Sequence, residues 1–131
     1  MKVKKKRTTA LIVGSGAIGA YLSKLLIQKN FKVLVSSRML KNYKKNYKKL
    51  KIDKKVNFLK LNILKKQQIR KIIINKKLNY IFYFAGQGSV AKSFSKPLET
   101  YTSNYLGAKY FLDVIKKNNF PIKFFKANSA Y

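Results

Sequence analysis

The stretch TTALIVGSGAIGAYLSKLLIQKNFKVLVSS, residues 8–37, decides how the rest of the chain is read. Thr8–Val13 is a short β-branched and apolar run, the composition of a buried strand. From Ile18 to Asn30 apolar residues recur at helical spacing, and Ile18, Leu22, Leu25 and Leu26 are expected on the inward face. Phe31–Val35 returns to strand composition. Strand, helix and strand in this order make a βαβ unit with parallel strands and a right-handed crossover. Its first turn, Gly14-Ser15-Gly16-Ala17-Ile18-Gly19, reads G-x-G-x-x-G. Gly14 permits the tight turn, Gly16 lets a phosphate reach the backbone, and Gly19 lets the helix pack closely on the strand. The free N–H groups at the helix start offer partial positive charge to an anion. Residues 14–19 are therefore expected to bind the pyrophosphate of a dinucleotide.

The same alternation continues downstream. Arg38–Lys55 is the most basic stretch, with Tyr43, Tyr47 and Leu50 at the spacing of a partly helical connection. Val56–Leu61 is a third strand. Lys65–Lys77 is a helix with Ile69, Ile72 and Ile73 inward, and Tyr80–Phe84 is a fourth strand. A loop with glycine and serine, Ala85–Lys96, leads to Pro97, which suits the first turn of a helix reaching about Asn118. The expected buried stripe of that helix is Leu98, Tyr101, Tyr105, Ala108, Leu112 and Ile115. Ile122–Ala127 is a fifth strand. The pattern is α/β, a doubly wound five-stranded parallel sheet of the Rossmann kind. No helix follows the fifth strand, so the expectation is a single NAD(P)-binding domain over residues 1–131, incomplete after strand five.

Composition narrows the chemistry. Among 131 residues there is no Cys and no His, which removes disulfides, thiolate or imidazole metal sites and the commonest general base. No metal is expected. The only acids are Asp53, Glu99 and Asp113, and their spacing does not suggest a catalytic pair. The net charge of +28 comes almost wholly from Lys, the only arginines being Arg7, Arg38 and Arg70. Lys spread along a chain reads as solvated surface. It predicts weak, salt-sensitive attraction to polyanions, so nucleic acid is expected to bind only non-specifically. The apolar run Ala10–Ile27 is interrupted by Lys24 and by glycines, so neither a signal peptide nor a membrane span is expected, and the reading is cytoplasmic.

The end of the second strand selects the cofactor. An acid there would hold the ribose hydroxyls of NAD. Here stand Ser36, Ser37 and Arg38, small hydroxyls and a guanidinium that suit a 2′-phosphate. NADP is the favoured reading, with NAD the alternative.

With these segments in order, the chain resembles the extended short-chain dehydrogenase/reductase family. Among its members it is most similar to the nucleotide-sugar epimerases and dehydratases, GDP-mannose 4,6-dehydratase in particular. The resemblance runs over nearly the whole chain. It implies that Asn62 and Ile63, after the third strand, hold the adenine, with the Asn62 oxygen as acceptor. Phe84, Ala85, Gly86 and Gln87 form the small-residue turn under the cofactor. Pro97, Thr100 and Asn104 to Ala108 match the helix that runs beside the cofactor, so Asn104 joins the binding residues and the 97–118 helix is the expected homodimer contact. Ser129 matches the catalytic hydroxyl that bonds the reacting sugar.

The departures are equally specific. The family's usual first glycine falls on Val13. A dehydratase's His falls on Ser89, and its elimination acid falls at or near Tyr131, where no carboxylate stands. The family's Tyr-x-x-x-Lys lies beyond the fifth strand, outside these residues. The expected function is therefore the N-terminal cofactor-binding part of a nucleotide-sugar epimerase, dehydratase or reductase, without turnover by itself. A stand-alone nucleotide-binding module and a Lys-rich nucleic-acid binder are the alternatives.

Overall fold

The computed structural model describes residues 6–38, 44–85, 97–98 and 105–127. Within these, β1 (Thr9–Val13), β2 (Lys32–Ser37), β3 (Asn57–Lys60), β4 (Tyr80–Tyr83) and β5 (Lys123–Lys126) form one sheet. Its order is β3-β2-β1-β4-β5 and every pairing is parallel. The chain first winds outward from β1 to β3, then crosses back to β4 beside β1. The reversal opens a crevice at the carboxyl ends of β1 and β4, where ligands of such sheets bind.

Helices α1 (Ala17–Gln28) and α2 (Lys44–Lys49) lie on one face, and α3 (Lys66–Lys76) and α4 (Gly107–Lys117) on the other. Strand residues alternate between two cores. Leu11, Val13, Leu34, Ile81 and Tyr83 join Ile69, Ile73, Phe111 and Val114 beneath α3 and α4. Ala10, Ile12, Val33 and Val35 join Ala20, Leu26, Tyr47 and Ile52 on the opposite side. Buried side-chain nitrogens and oxygens among the described residues all have a hydrogen-bond partner. No helix among them is long and apolar enough to cross a membrane.

Two expected helix faces are corrected. In α1 the buried residues are Gly19, Ala20, Ser23 and Leu26, while Ile18 and Leu25 are exposed and Leu22 is half-buried. Close approach to the sheet selects the small residues, because Gly19 must pass over Ile12. In α4 the buried residues are Gly107, Ala108, Phe111 and Val114; Leu98, Tyr105 and Leu112 are exposed. Gly107 sets that rotation. A Cβ there would overlap the Tyr83 hydroxyl and stand 2.8 Å from Ile63 Cδ1, so only glycine lets the helix lie this low. Ile69 and Ile73 are buried in α3 as expected, and Ile72 is half-buried. Tyr43 and Tyr101 lie outside the described residues.

Candidate functional site

The glycine turn is built as its three positions require. Gly14 has φ +108°, and its N–H donates to the Ser36 carbonyl at 3.0 Å, tying the turn to β2. A Cβ at Gly14 would stand 3.0 Å from the Phe84 carbonyl carbon and 3.1 Å from the Ala85 nitrogen. The chain leaving β4 therefore passes directly against the turn, which places Phe84 and Ala85 in the crevice. At Gly19 a Cβ would meet Ile12 Cγ2 at 3.0 Å and the Gly14 carbonyl at 3.3 Å. Gly16 differs from both. Nothing lies within 4 Å of its would-be Cβ, and its φ of −72° is open to any residue. Its lack of a side chain is not required by the fold, and it leaves the turn backbone accessible.

Gly16 is also the N-cap of α1, and no side chain caps the helix. Ala20 is the first residue whose N–H reaches the Gly16 carbonyl, at 3.1 Å. The N–H groups of Ala17, Ile18 and Gly19 thus have no acceptor within the helix. The first turn holds no acid. An uncapped N-terminus beside open backbone fits a phosphate group.

The β2 end lies alongside. Ser15 Oγ and Ser37 Oγ are 3.4 Å apart, and Asn46 Nδ2 donates to the Ser15 carbonyl at 3.4 Å. Arg38 is exposed and lines a cavity of about 570 Å³ with Lys60, Asn62, Lys65, Gln68, Lys71 and Ile72. Four cations and no acid face this space. Lys60, Lys65, Gln68 and Lys71 were not singled out in the sequence. The register opposing Lys60 to Ser37 carries the signal for the first; the others depend on how α3 leans on β3.

Asn62 is committed locally. Its Oδ1 accepts the Leu64 N–H at 3.0 Å, and its own N–H donates to Gln68 Oε1 at 3.0 Å. Its oxygen is thus partly engaged, and its amide NH₂ remains for a ligand. Ile63 is half-buried, with Cδ1 beneath Gly107, so it supports α4 as well as the cavity edge. The structure brings together Gly14 to Gly19, Ser37, Arg38, Asn62, Ile63, Phe84 and Ala85 at one end of the sheet. Gly86, Gln87, Ser89, Thr100, Asn104 and Ser129 lie outside the described residues.

Two segments carry Tyr-x-x-x-Lys spacing before the fifth strand, Tyr47–Lys51 and Tyr105–Lys109. In each, one member is engaged elsewhere. Tyr47 is buried with its hydroxyl 3.4 Å from Ser23 Oγ, and burial raises its pKa above the ordinary phenol value. The Lys109 ammonium is 2.9 Å from Asp113 Oδ2, which also takes Lys66 at 3.3 Å. The hydrogen bond from Lys109 leads in holding that carboxyl below the usual range. Burial likewise pushes the Tyr83 phenol well above its ordinary value. Asp113 sits on α4, away from the turn, as a surface charge.

Comparison with known proteins agrees with this architecture. The family model described as GDP-mannose 4,6 dehydratase matches residues 11–131. A UDP-glucose 4-epimerase of Mycoplasma genitalium is 28% identical over 127 residues, covering 95% of this chain and 36% of that protein. The UDP-glucose 4-epimerase of Drosophila melanogaster is 25% identical over 131 residues, covering 94% and 37%. The chain thus spans little more than a third of these relatives' length. Among solved structures, the UDP-Glc/GlcNAc 4-epimerase of Campylobacter jejuni superposes with a TM-score of 0.81 at 20% identity, covering 94% of this chain and 37% of its own. The Brucella ovis UDP-glucose 4-epimerase in complex with NAD gives 0.80 at 19%, covering 94% and 36%. At these identities the superpositions establish the fold.

Proposed function

The chain belongs to the GDP-mannose 4,6-dehydratase family within the extended short-chain dehydrogenases/reductases, and from that premise we propose that it is the NAD(P)-binding part of a nucleotide-sugar epimerase. The observation that carries the reading is the contrast among the three glycines. Gly14 and Gly19 have no room for a Cβ, whereas Gly16 leaves open space over an uncapped helix N-terminus. A pyrophosphate would be held there by backbone N–H groups of residues 16–19. Ser37 and Arg38 take the adenosine ribose end. The Lys60, Lys65 and Lys71 ammoniums add the charge that favours a 2′-phosphate, so NADP is preferred to NAD. Asn62 offers its amide NH₂ at the adenine edge, and Ile63, Phe84 and Ala85 line the crevice. By family resemblance Gly86, Gln87 and Asn104 complete the cofactor contacts, and Ser129 meets the sugar hydroxyl.

Held by Gly14 to Gly19, Ser37, Arg38, Asn62, Ile63, Phe84 and Ala85, a bound nicotinamide cofactor would supply reversible hydride acceptance from a nucleotide-sugar. The names of the relatives support a UDP-sugar as substrate of the complete enzyme. The residues present bind and orient the cofactor; none of the described ones is placed to remove a sugar proton. We expect no turnover from this portion alone. The exposed Leu112 on α4 supports a homodimer formed through that helix.

Titration calorimetry with NADP⁺ and NAD⁺ tests the reading. Wild type binds both, NADP⁺ more tightly. Gly16→Val melts like wild type and loses binding of both, and Arg38→Ala narrows the gap between NADP⁺ and NAD⁺. Undiminished binding by Gly16→Val overturns the site. Sugar-dependent reduction of NADP⁺ by this chain overturns the inactivity.

A further inference from the structure

The polar lining of the cavity beside Arg38 is a set of donors. Arg38, Lys60, Lys65 and Lys71 are exposed cations, and no carboxylate shares the lining among the described residues. The described acids are placed elsewhere. Asp113 takes Lys66 and Lys109, and Asp53 stands in the link between α2 and β3. The two amides of the lining add donors. Gln68 Oε1 accepts the Asn62 N–H, and Asn62 Oδ1 accepts the Leu64 N–H. Each side chain is left with its NH₂.

The start of α3 has the same polarity. Lys65 is the N-cap, no side chain caps the helix, and its first turn holds no acid. The Gln68 and Ile69 N–H groups donate to the Lys65 carbonyl at 3.0 and 3.3 Å, so those of Lys66 and Gln67 have no acceptor within the helix. The charge is also spread along an axis. Lys65 and Lys71 are two lining residues of one helix, separated by about 9 Å of rise. Lys60 adds a third ammonium from the end of β3. A concave surface lined by one sign of charge concentrates the field within it. One phosphate monoester brings about two negative charges at pH 7. It offsets only half of the four cations and spans only part of their length. Their complement is a chain of phosphates.

We propose that this cavity takes a linear polyphosphate chain, free or carried by a nucleoside triphosphate, and that a chain seated there excludes NADP⁺. Arg38, Lys60, Lys65 and Lys71 donate to successive phosphates, and the chain takes the space of the 2′-phosphate. Cofactor loading is thereby set by the level of polyphosphate. The choice of NADP⁺ as the competitor rests on the cofactor reading above.

The test is titration calorimetry of the 131-residue chain at physiological salt with inorganic tripolyphosphate, orthophosphate and ATP. Tripolyphosphate is expected to bind one saturable site, and orthophosphate at least about tenfold more weakly. Lys60→Gln combined with Lys71→Gln weakens tripolyphosphate about tenfold or more. Lys24→Gln combined with Lys29→Gln removes the same charge from exposed positions outside the cavity and leaves binding unchanged. All variants are checked for folding by circular dichroism. Saturating tripolyphosphate weakens NADP⁺ more than NAD⁺. Tighter binding of ATP identifies a nucleoside triphosphate as the source and equal binding a free chain; either supports the site. Gly16→Val is expected to keep tripolyphosphate while losing the cofactor. If that variant keeps NADP⁺ as well, the cofactor reading fails and the cavity variants still decide the polyphosphate site. Four outcomes overturn the proposal. They are no saturable binding of tripolyphosphate, an equal loss in the Lys24 and Lys29 variant (general polyanion attraction), loss of tripolyphosphate in Gly16→Val (a chain seated on the glycine turn), and NADP⁺ affinity indifferent to saturating tripolyphosphate.

Discussion

The two faces of the sheet carry similar apolar residues but are finished differently. Beneath α3 and α4, Leu11, Ile81, Tyr83 and Phe111 are almost wholly inaccessible. On the α1 side, Ile12, Val33 and Val35 are equally buried over β1 and β2, yet the rings on β4 and β5 are half open. Phe124 and Phe125 are adjacent residues of one strand. Phe124 packs in a core and Phe125 stands half exposed because pleat alternation sends them to opposite faces. The difference teaches that helix coverage, rather than strand hydrophobicity, decides which face of such a sheet is closed.

The strongest way to break that comparison is to truncate one ring on each face. Phe111→Ala is expected to cost about 3–5 kcal/mol, since the site is fully packed. Phe125→Ala is expected to cost below about 1.5 kcal/mol. Urea unfolding measures both, and equal losses would mean that the open face is closed in solution. Gly107→Ala is expected next, at about 1–3 kcal/mol, because the new methyl overlaps the Tyr83 hydroxyl beneath α4. Gly14→Ala follows at about 1–2 kcal/mol, from a φ of +108° and backbone atoms at 3.0 Å. Gly16→Ala, two residues away, is expected to change stability least, within about 0.5 kcal/mol. A stability loss at Gly16 matching that at Gly14 would remove the evidence that position 16 is kept bare for a ligand.

A pH series sharpens the same contrast. Tyr83 is buried and its phenol pKa is raised, so the folded state keeps a proton that the unfolded chain releases above its ordinary value of 10.0. Its contribution is therefore whole below that pH and declines above it. Lysines discharge in the same range and relieve repulsion, so the measured quantity is the urea midpoint of wild type minus that of Tyr83→Phe. That difference is expected to fall as pH rises past the phenol range, and a flat difference would show that Tyr83 is not desolvated.

Much of this was legible in the sequence where a residue's local chemistry sets its role. The turn at 14–19, the order of strands and helices, and the nearness of Ser37 to that turn all follow from spacing and composition. Helix rotation was less legible. Ile18, Leu25, Tyr105 and Leu112 satisfy a helical period and still face outward, because two overlapping stripes fit each helix. The choice between them fell to small residues, Gly19 over Ile12 and Gly107 over Tyr83, whose partners are distant in sequence. Lys60, Lys65 and Lys71 were hidden for a similar reason, since nothing local separates a lysine lining a cavity from one among many in solvent.

The sequence by itself determined a βαβ dinucleotide turn at Gly14, Gly16 and Gly19 and a five-stranded α/β order around it. These rest on backbone conformational freedom and on periodicity, both local properties. The tertiary structure alone decided which glycine is open, which lysines join Arg38, and which aromatic face the described residues cover only in part. Those depend on contacts between segments tens of residues apart, formed only when β4 and α4 close against β1.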